Sequence, residues 1–459
     1  YQKLKIKNLE DLENALRKQK LRKLASLGTT TEKNLLKSVE LVKQGKGRLL
    51  LGRAYLLANE IKDYLSKVSG VSRMEIAGSF RRGRETIGDL DFLVTSKQPK
   101  KVIEAFNNLP DIKQVLAQGT TRSAIRLTNN FNVDLRVVKE KEFGSALQYF
   151  TGNKQHNITL RKLALKQGFT LSEYGLFKLP GKTYILGKTE PEIYQKLGLQ
   201  YIPPELRVNA GEIEAAQKNQ IPKLITKPKA EFHLHSIWSD GTNSLAEMAQ
   251  HAQQFGRKLI SFSDHIGDLG VVNSLKGKRF EQYLKEVERI NKKSDILILK
   301  GAEIDIDKHG QLRATKSMIK KLDVVIGSIH MGFKGSEKEQ TTRICTAMQQ
   351  VNILGHPTTR KINTREEIHF NSNKVFQHAK DTNTFLEING TPERMDLKDT
   401  YIKTAKEIGC KFALASDAHS LSGFNNLNYA LINARRGWLE NKDVLNCWSL
   451  NKIKKVFGV

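Results

Sequence analysis

Asp89 and Asp91, two carboxylates one residue apart in GDLDFLVT, have a spacing suited to chemistry on phosphate. Residues two apart on a strand point to the same face, so both acids can hold one pair of hard cations. A third acid, Asp134 in FNVDLRVV, falls within another expected strand and can join them. Upstream, IAGSF sets Gly78-Ser79 at an expected strand-to-helix turn, where small residues let backbone approach a triphosphate, and Arg82 supplies charge for phosphate oxygens. Phosphoryl transfer asks for this combination: oxygen ligands for two Mg²⁺ beside a close-approaching backbone. Alone, two alternating acids usually mark the solvated face of a strand. The turn, the basic cluster between, and the third strand acid set this pair apart.

The other half of the chain carries a different set. Six of the eleven histidines stand where a short apolar run ends, each beside another candidate ligand. His233 and His235 form HLH, with Asp240 following in WSDG; Asp264-His265 lies in SDH, Glu303 in KGAEID, His330 in GSIH, His356 in GHP, and Asp417 with His419 in SDAH. Imidazole suits Zn²⁺, Mn²⁺ or Fe²⁺, and carboxylates can bridge two ions. One such histidine is more often a satisfied core residue; six at a repeated position, paired with acids, read as metal ligands. Asp240 and Glu387 (in FLEING) are expected to take part as ligands or as groups that hold one, and Asp264 is expected to orient a ligating histidine. His251, His309, His369 and His378 lack such a setting and read as surface or structural, and His156 lies in the first half.

These residues need elements to carry them. Residues 1–66 show apolar spacing near 3.6, as in LEDLENALRKQKLRKLASL and RLLLGRAYLLANEIKDYL, and read as helices. From Ser72 short β-like runs (RMEIAGSF, DLDFLVT, SAIRLT, FNVDLRVV) alternate with Lys-rich helices, an α/β or α+β pattern. Residues 141–204 mix a helix, HNITLRKLALKQG, with short strands, FKLP and TYILG. Tyr201 to Ala230 is proline-bearing and polar and reads as a linker. From Glu231 seven short strands (EFHLH, LISFSDH, ILILKGAEIDI, DVVIGSIH, VNILGHP, TFLEING, KFALASDAH) alternate with helices. Each carries a polar or charged residue at its C-terminal end, the pattern of a closed α/β barrel whose strand C-termini build the site.

At 459 residues, two or more domains are expected. A net charge of +28 points to a polyanionic partner. Residues 1–230 hold 42 Lys and Arg against 22 Asp and Glu, a net of +20, whereas residues 231–459 hold 34 against 26, a net of +8. The excess therefore sits where a nucleic acid would be gripped. No apolar run approaches the roughly 20 residues that span a bilayer, so no membrane partner is expected. Three cysteines, Cys345, Cys410 and Cys447, with no CxxC pair, fit a cytoplasmic setting. The chain starts at Tyr1 inside a helical pattern with no secretory signal, as expected of a truncated N-terminus.

GSFRRG…GDLD followed by YFTGNKQHNITLR resembles the family X DNA polymerases, within the nucleotidyltransferase superfamily, over roughly residues 1–204. The resemblance implies that Asp89, Asp91 and Asp134 bind catalytic Mg²⁺ or Mn²⁺, with Asp134 near the primer 3′-hydroxyl. It gives the phosphates of a dNTP to Arg48, Gly78, Ser79 and Arg82, its sugar to Tyr149, Phe150 and Gly152, its base to Asn157, and the template strand to Arg161. Family members carry a lyase domain and a DNA-gripping hairpin before this point, and the opening YQKLKIKNLEDLENA is similar to the segment just beyond that hairpin; LASLGTTTEKNLL keeps Gly28 of a second candidate hairpin, without the usual glycine pair.

The series HLH…SDG, SDH, GAE, SIH, GHP, SDAH resembles the PHP superfamily, named for polymerases and histidinol phosphatase, over about residues 229–459. It implies a site of three ions, Mn²⁺, Zn²⁺ or Fe²⁺, held by His233, His235, Asp240, His265, Glu303, His330, His356, Asp417 and His419. The fold expected is multidomain α/β: partial helical fingers (1–50), a nucleotidyltransferase-type α+β palm (51–138), thumb (139–204), linker (205–228) and a distorted (β/α)7 PHP barrel (229–459). The implied function is extension of primers on gapped or primed duplex DNA with dNTPs, joined to 3′-end shortening by the PHP half, in a chain that nothing requires to be more than a monomer. Two other readings stand beside it: a PHP phosphoesterase acting on nucleotides or small phosphates with a first half that only binds DNA, and a DNA-binding module that tethers a nuclease.

Overall fold

The structure, a computed structural model, describes residues 6, 9–23, 32, 35–36, 39, 47–268 and 272–459. The candidate hairpin around Gly28 lies outside these residues. The chain divides into two compact units, Tyr1–Asn219 and Gln220–Val459.

In the first unit, the helix Leu51–Ser66 buries Leu51, Ala54, Ala58, Ile61 and Leu65, a stripe at three- and four-residue spacing that packs toward the sheet. That sheet has five strands in the order Val71–Ile76, Asp89–Ser96, Asn132–Val138, Arg122–Leu127, Ile112–Gln118. Only Asp89–Ser96 and Asn132–Val138 run parallel; the other neighbours are antiparallel. Along Asn132–Val138 the alternation is plain: Val133, Leu135 and Val137 are buried, while Asn132, Asp134 and Arg136 take the other face. The edge strand Ile112–Gln118 escapes the sequence pattern because it is exposed almost throughout. Behind the sheet the helix Pro99–Asn107 starts on a proline and buries Val102, Ile103 and Phe106.

The helix Phe143–Thr151 packs Phe143, Ala146 and Leu147 against Leu93 of the sheet and Ala77 just beyond its first strand. The next helix, Lys154–Lys166, is capped by Asn153, whose side chain accepts from the His156 backbone N–H. A small antiparallel sheet comes after it, Phe169–Ser172, Gly175–Lys178 and Thr183–Leu186. The stretch expected as a linker holds short helices, Pro204–Leu206 and Glu212–Gln217, and buries Arg207 and Glu212 completely. The reason is buried polar pairing that no periodicity displays. Arg207 meets Glu190 at 2.5 Å, Glu190 also takes both guanidinium nitrogens of Arg81 at 2.7 and 2.8 Å, and Glu212 meets His156 Nδ1 at 2.7 Å.

The second unit is a nearly closed barrel of seven parallel strands taken in chain order: Ala230–Glu231, Leu259–Phe262, Leu297–Asp305, Val324–Ser328, Ile353–Leu354, Phe385–Asn389 and Phe412–Ala415. His265–Ile266 adds a short pair to the third of these. One strand face clusters apolar residues at the N-terminal ends, among them Leu259, Leu299, Val324, Ile326, Ile353, Phe385 and Ala413. Counting on by twos along that face leads to Glu303 and Asp305 on one strand and Glu387 and Asn389 on another. Apolar filling and site residues are thus successive layers of one face. The seam between first and last strands is bridged by side chains: Asn446 donates to the carbonyls of Ala230 and Leu414 and accepts from the Leu414 N–H. Several strands are shorter than their apolar runs. The first ladder ends at Glu231, and the second is interrupted at Ser263-Asp264, because the chain leaves the ladder where its ligand-bearing residues turn toward the centre.

Candidate active sites

In the first unit the register of the parallel pair does the positioning. Asp91 stands opposite Asp134, and Asp89 opposite Asn132. Gly78 packs so closely on Asp91 that a Cβ would lie 2.3 Å from Asp91 Oδ2, and its φ of +63° also favours glycine. Asp91 is pushed up to about 7 by burial and by its neighbours Asp89 and Asp134. Asp89 is raised by burial and by Asp134, against the pull of Arg48 and Arg82. Three carboxylate groups in such mutual conflict, offering only oxygen donors, fit a hard divalent cation that would relieve it.

A cleft of about 640 Å³ opens above these acids. Gly78, Ser79, Arg82, Arg48, Tyr149, Phe150, Gly152, Asn157 and Arg161 all line it together with Asp89 and Asp91, while Asp134 lines a separate small recess that shares Asp91 and Phe150 with the cleft. Arg48 is held by Thr86, through Nε to its hydroxyl at 2.9 Å and Nη2 to its carbonyl at 2.6 Å. Arg82 donates to the Thr151 carbonyl. Phe150 carries the Arg136 guanidinium 4.4 Å over its ring and meets Tyr149 edge-on. Both ends of the Asn157 amide are engaged: Nδ2 donates to the Tyr149 carbonyl at 2.7 Å and Oδ1 accepts from Gln148 at 2.8 Å. Arg84 and Lys154 also line the cleft and were not singled out from sequence, although each lies beside a motif that was. Arg122, whose Nη2 is 3.3 Å from Asp134 Oδ1, carried no sequence signal because it comes from the neighbouring strand.

In the second unit the nine expected ligands converge. Three groups have donor atoms within 4.8 Å of one another: His235, Asp240, His265 and His419; His233, His235 and Asp417; Glu303, His330 and His356. His251, His309, His369 and His378 belong to none of these groups. Glu303 sits between the groups. Its Oε2 is 3.3 Å from His265 Nδ1, 3.4 Å from His233 Nε2 and 3.6 Å from His235 Nε2, and its Oε1 is 3.2 Å from His356 Nε2 and 3.4 Å from His330 Nε2. Neither ring nitrogen of the buried His235 has a hydrogen-bond partner, and the same holds for His233 Nε2, His265 Nδ1 and Glu303 Oε1. Buried polar atoms aimed at one another without hydrogen bonds are costly alone, and the donor set fits several borderline divalent ions.

The electrostatics agree. Burial opposes charge on His235 and His330, yet the surrounding carboxylates raise them to about 10 and about 9. Despite burial, the surrounding histidines, His233 foremost for Glu303 and Asp417 and His235 foremost for Asp240, hold these three carboxylates far below their usual range. His356 goes the other way, down to about 4, through burial and the charge of Arg394. Glu387 takes the position outside the ring of ligands: Oε1 accepts from His233 Nδ1 at 2.5 Å and Oε2 from the His356 N–H at 2.6 Å. Asp264, expected to orient a histidine, does otherwise. Its carboxylate accepts from the backbone and hydroxyls of Ser236 and Ser239 at 2.7 to 3.1 Å, fixing the loop between His235 and Asp240. The cause is geometric, since that loop folds back over Asp264 and satisfies both oxygens.

Among known proteins, the DNA polymerase beta palm family matches residues 54–167, the DNA polymerase beta thumb family residues 146–208, and the PHP domain family residues 231–391. The DNA polymerase/3'-5' exonuclease PolX of Bacillus subtilis (strain 168) is 34% identical over 459 residues, 99% of this chain and 80% of that protein. A probable phosphatase of Thermoanaerobacter sp. (strain X514) is 30% identical over 239 residues, 49% of this chain and 92% of its own. DNA polymerase lambda of Rattus norvegicus is 30% identical over 158 residues, 28% of each chain.

Proposed function

The chain belongs to the family X DNA polymerases that carry a PHP domain, and we propose that it extends primers at DNA gaps with its first unit and shortens 3′ ends by phosphodiester hydrolysis with its second. The observation that carries the reading is the pairing of Asp91 with Asp134 beneath Gly78 in a basic cleft, on a chain that also gathers nine metal-type ligands. In this reading Asp89, Asp91 and Asp134 hold Mg²⁺ or Mn²⁺. His233, His235, Asp240, His265, Glu303, His330, His356, Asp417 and His419 hold three ions, Mn²⁺, Zn²⁺ or Fe²⁺. When bound, such ions offset charge on the reacting phosphate and activate the attacking oxygen.

The chain's own residues do the rest. Arg48, Arg82 and Lys154 neutralise the triphosphate, Gly78-Ser79 admits it to the backbone, and Tyr149, Phe150 and Gly152 flank the sugar. Asn157 faces the base and Arg161 the template strand. Glu387 orients His233 by holding the proton on Nδ1. The setting is the cytoplasm and the working form a monomer; among the described residues no helix is long and apolar enough to cross a membrane. Two variants test the assignment on a gapped duplex. Asp91→Asn abolishes extension and leaves shortening, and His235→Ala does the reverse; a single variant that removes both activities sinks the division of labour. A second reading, in which only the PHP unit is active as a phosphoesterase on nucleotides or small phosphates, draws on the Thermoanaerobacter relative and expects no extension by the wild type.

A further inference from the structure

Two loops leave the barrel beside its ligand cluster. Residues 306–312 come after Glu303 and Asp305, and residues 331–336 after His330. With the first turns of the helix Glu337–Met348 they wall a cleft of about 950 Å³. Its lining is basic: Lys308, Lys334, Lys338 and Arg343 against the single carboxylate Glu339. Glu339 is already engaged, accepting from the backbone N–H and hydroxyl of Ser336 at 2.7 and 2.8 Å. Among the described residues none of the three lysines makes an ion pair or a side-chain hydrogen bond.

Arg343 has another task. It is 4% exposed and gives its guanidinium to the carbonyls of Ile306, Asp307, Met331 and Gly332, tying one loop to the other. The walls are therefore pinned by a buried cation, while three exposed cations remain for a ligand. Lys308 lies five residues beyond Glu303 and Lys334 four beyond His330, so along the second loop the cleft starts within about 14 Å of the ligand cluster. A small phosphate at the ligand cluster would leave this space unused. A chain of phosphates running away from it would not.

We propose that this cleft seats the phosphates of a single DNA strand whose end lies at the Glu303 cluster, with Lys308, Lys334 and Lys338 as its phosphate contacts. The proposal rests on the phosphodiesterase reading of that cluster. Recognition is by charge, so it is independent of base sequence and weakens with salt. Three neutralised phosphates of a single strand contribute about −2 to the slope of log affinity against log salt.

The experiment compares the full chain with the triple variant Lys308→Ala, Lys334→Ala, Lys338→Ala. Two substrates are used from 50 to 300 mM salt: a labelled single-stranded oligonucleotide and the small diester bis-p-nitrophenyl phosphate. We expect the variant's kcat/KM on the oligonucleotide to fall at least tenfold at 100 mM salt, its salt slope to flatten by about 2, and the small diester to be hydrolysed at the wild-type rate. An unchanged oligonucleotide rate and slope overturn the proposal, as does an equal loss on both substrates, which would mean damage to the ligand cluster. A wild type that cleaves the small diester but not the oligonucleotide overturns the strand groove alone. A wild type that cleaves neither overturns the phosphodiesterase reading, and the groove with it.

Discussion

Glu190→Gln is the perturbation whose size can be worked out from geometry. Glu190 is 4% exposed and accepts from Arg81 at 2.7 and 2.8 Å, Arg207 at 2.5 Å and Tyr201 at 3.1 Å. Burial alone would raise its pKa, but Arg207 and Arg81 hold the carboxyl down at about 2 from an ordinary 4.5. That difference corresponds to about 3 kcal/mol of folding stability at neutral pH. Removing the carboxylate leaves the fully buried Arg207 unpaired, and the loss expected of such a broken pair, on the order of 3 to 5 kcal/mol, is the same interaction seen from its partner and lies on the same scale. The sign follows from the depressed pKa. The stabilisation is present above about 4.5 and fades as pH falls toward 2, with about 1 kcal/mol gone by pH 4. Urea unfolding followed by far-UV circular dichroism measures the effect. Tryptophan fluorescence is an internal control, because Trp238, Trp438 and Trp448 all lie in the second unit. The first-unit transition should shift by about 3 kcal/mol at pH 7, the gap to wild type should narrow by about 1 kcal/mol at pH 4, and the fluorescence transition should stay put. A gap under 1 kcal/mol at pH 7, or one that widens on acidification, refutes the reasoning.

Gly78→Ala should cut primer extension about 100-fold with shortening intact, since its Cβ must displace the Asp91 carboxylate by roughly an ångström; equal extension rates in a single-turnover assay contradict this. Glu387→Gln removes the charged acceptor for His233 Nδ1–H and should lower metal affinity of the second unit 10- to 100-fold, read by competition with a chromogenic chelator. His235→Ala should reduce the metal content of the purified chain by elemental analysis, because His235 belongs to two of the three ligand groups; full occupancy in that variant would show that its orphaned ring nitrogens serve something else.

Much of the chemistry was legible because strands repeat every two residues. Asp89 and Asp91 had to share a face, and the strand-end histidines had to converge if the strands closed a barrel. What pairs with what was not legible. The parallel register that puts Asp134 opposite Asp91 joins segments some 40 residues apart, and Arg122 reaches Asp134 from a third strand. Asp264 illustrates the same limit: its neighbour in sequence is a ligand, yet its partners are serines of a different loop. Prolines and polar residues suggested a linker after Tyr201, where Arg207 and Glu212 instead bury themselves against Glu190 and His156, far back in the chain. Composition reports loops well when the backbone is solvated, and poorly when a few buried polar side chains hold it in place.

The most direct test of the two-site account is a labelled primer on a one-nucleotide-gapped duplex, with Mg²⁺ or Mn²⁺, with and without dNTPs. The account predicts extension by one nucleotide when dNTPs are present and shortening from the 3′ end when they are absent. Shortening under both conditions with no extension would contradict it, leaving the first unit as a DNA-binding module beside a phosphoesterase.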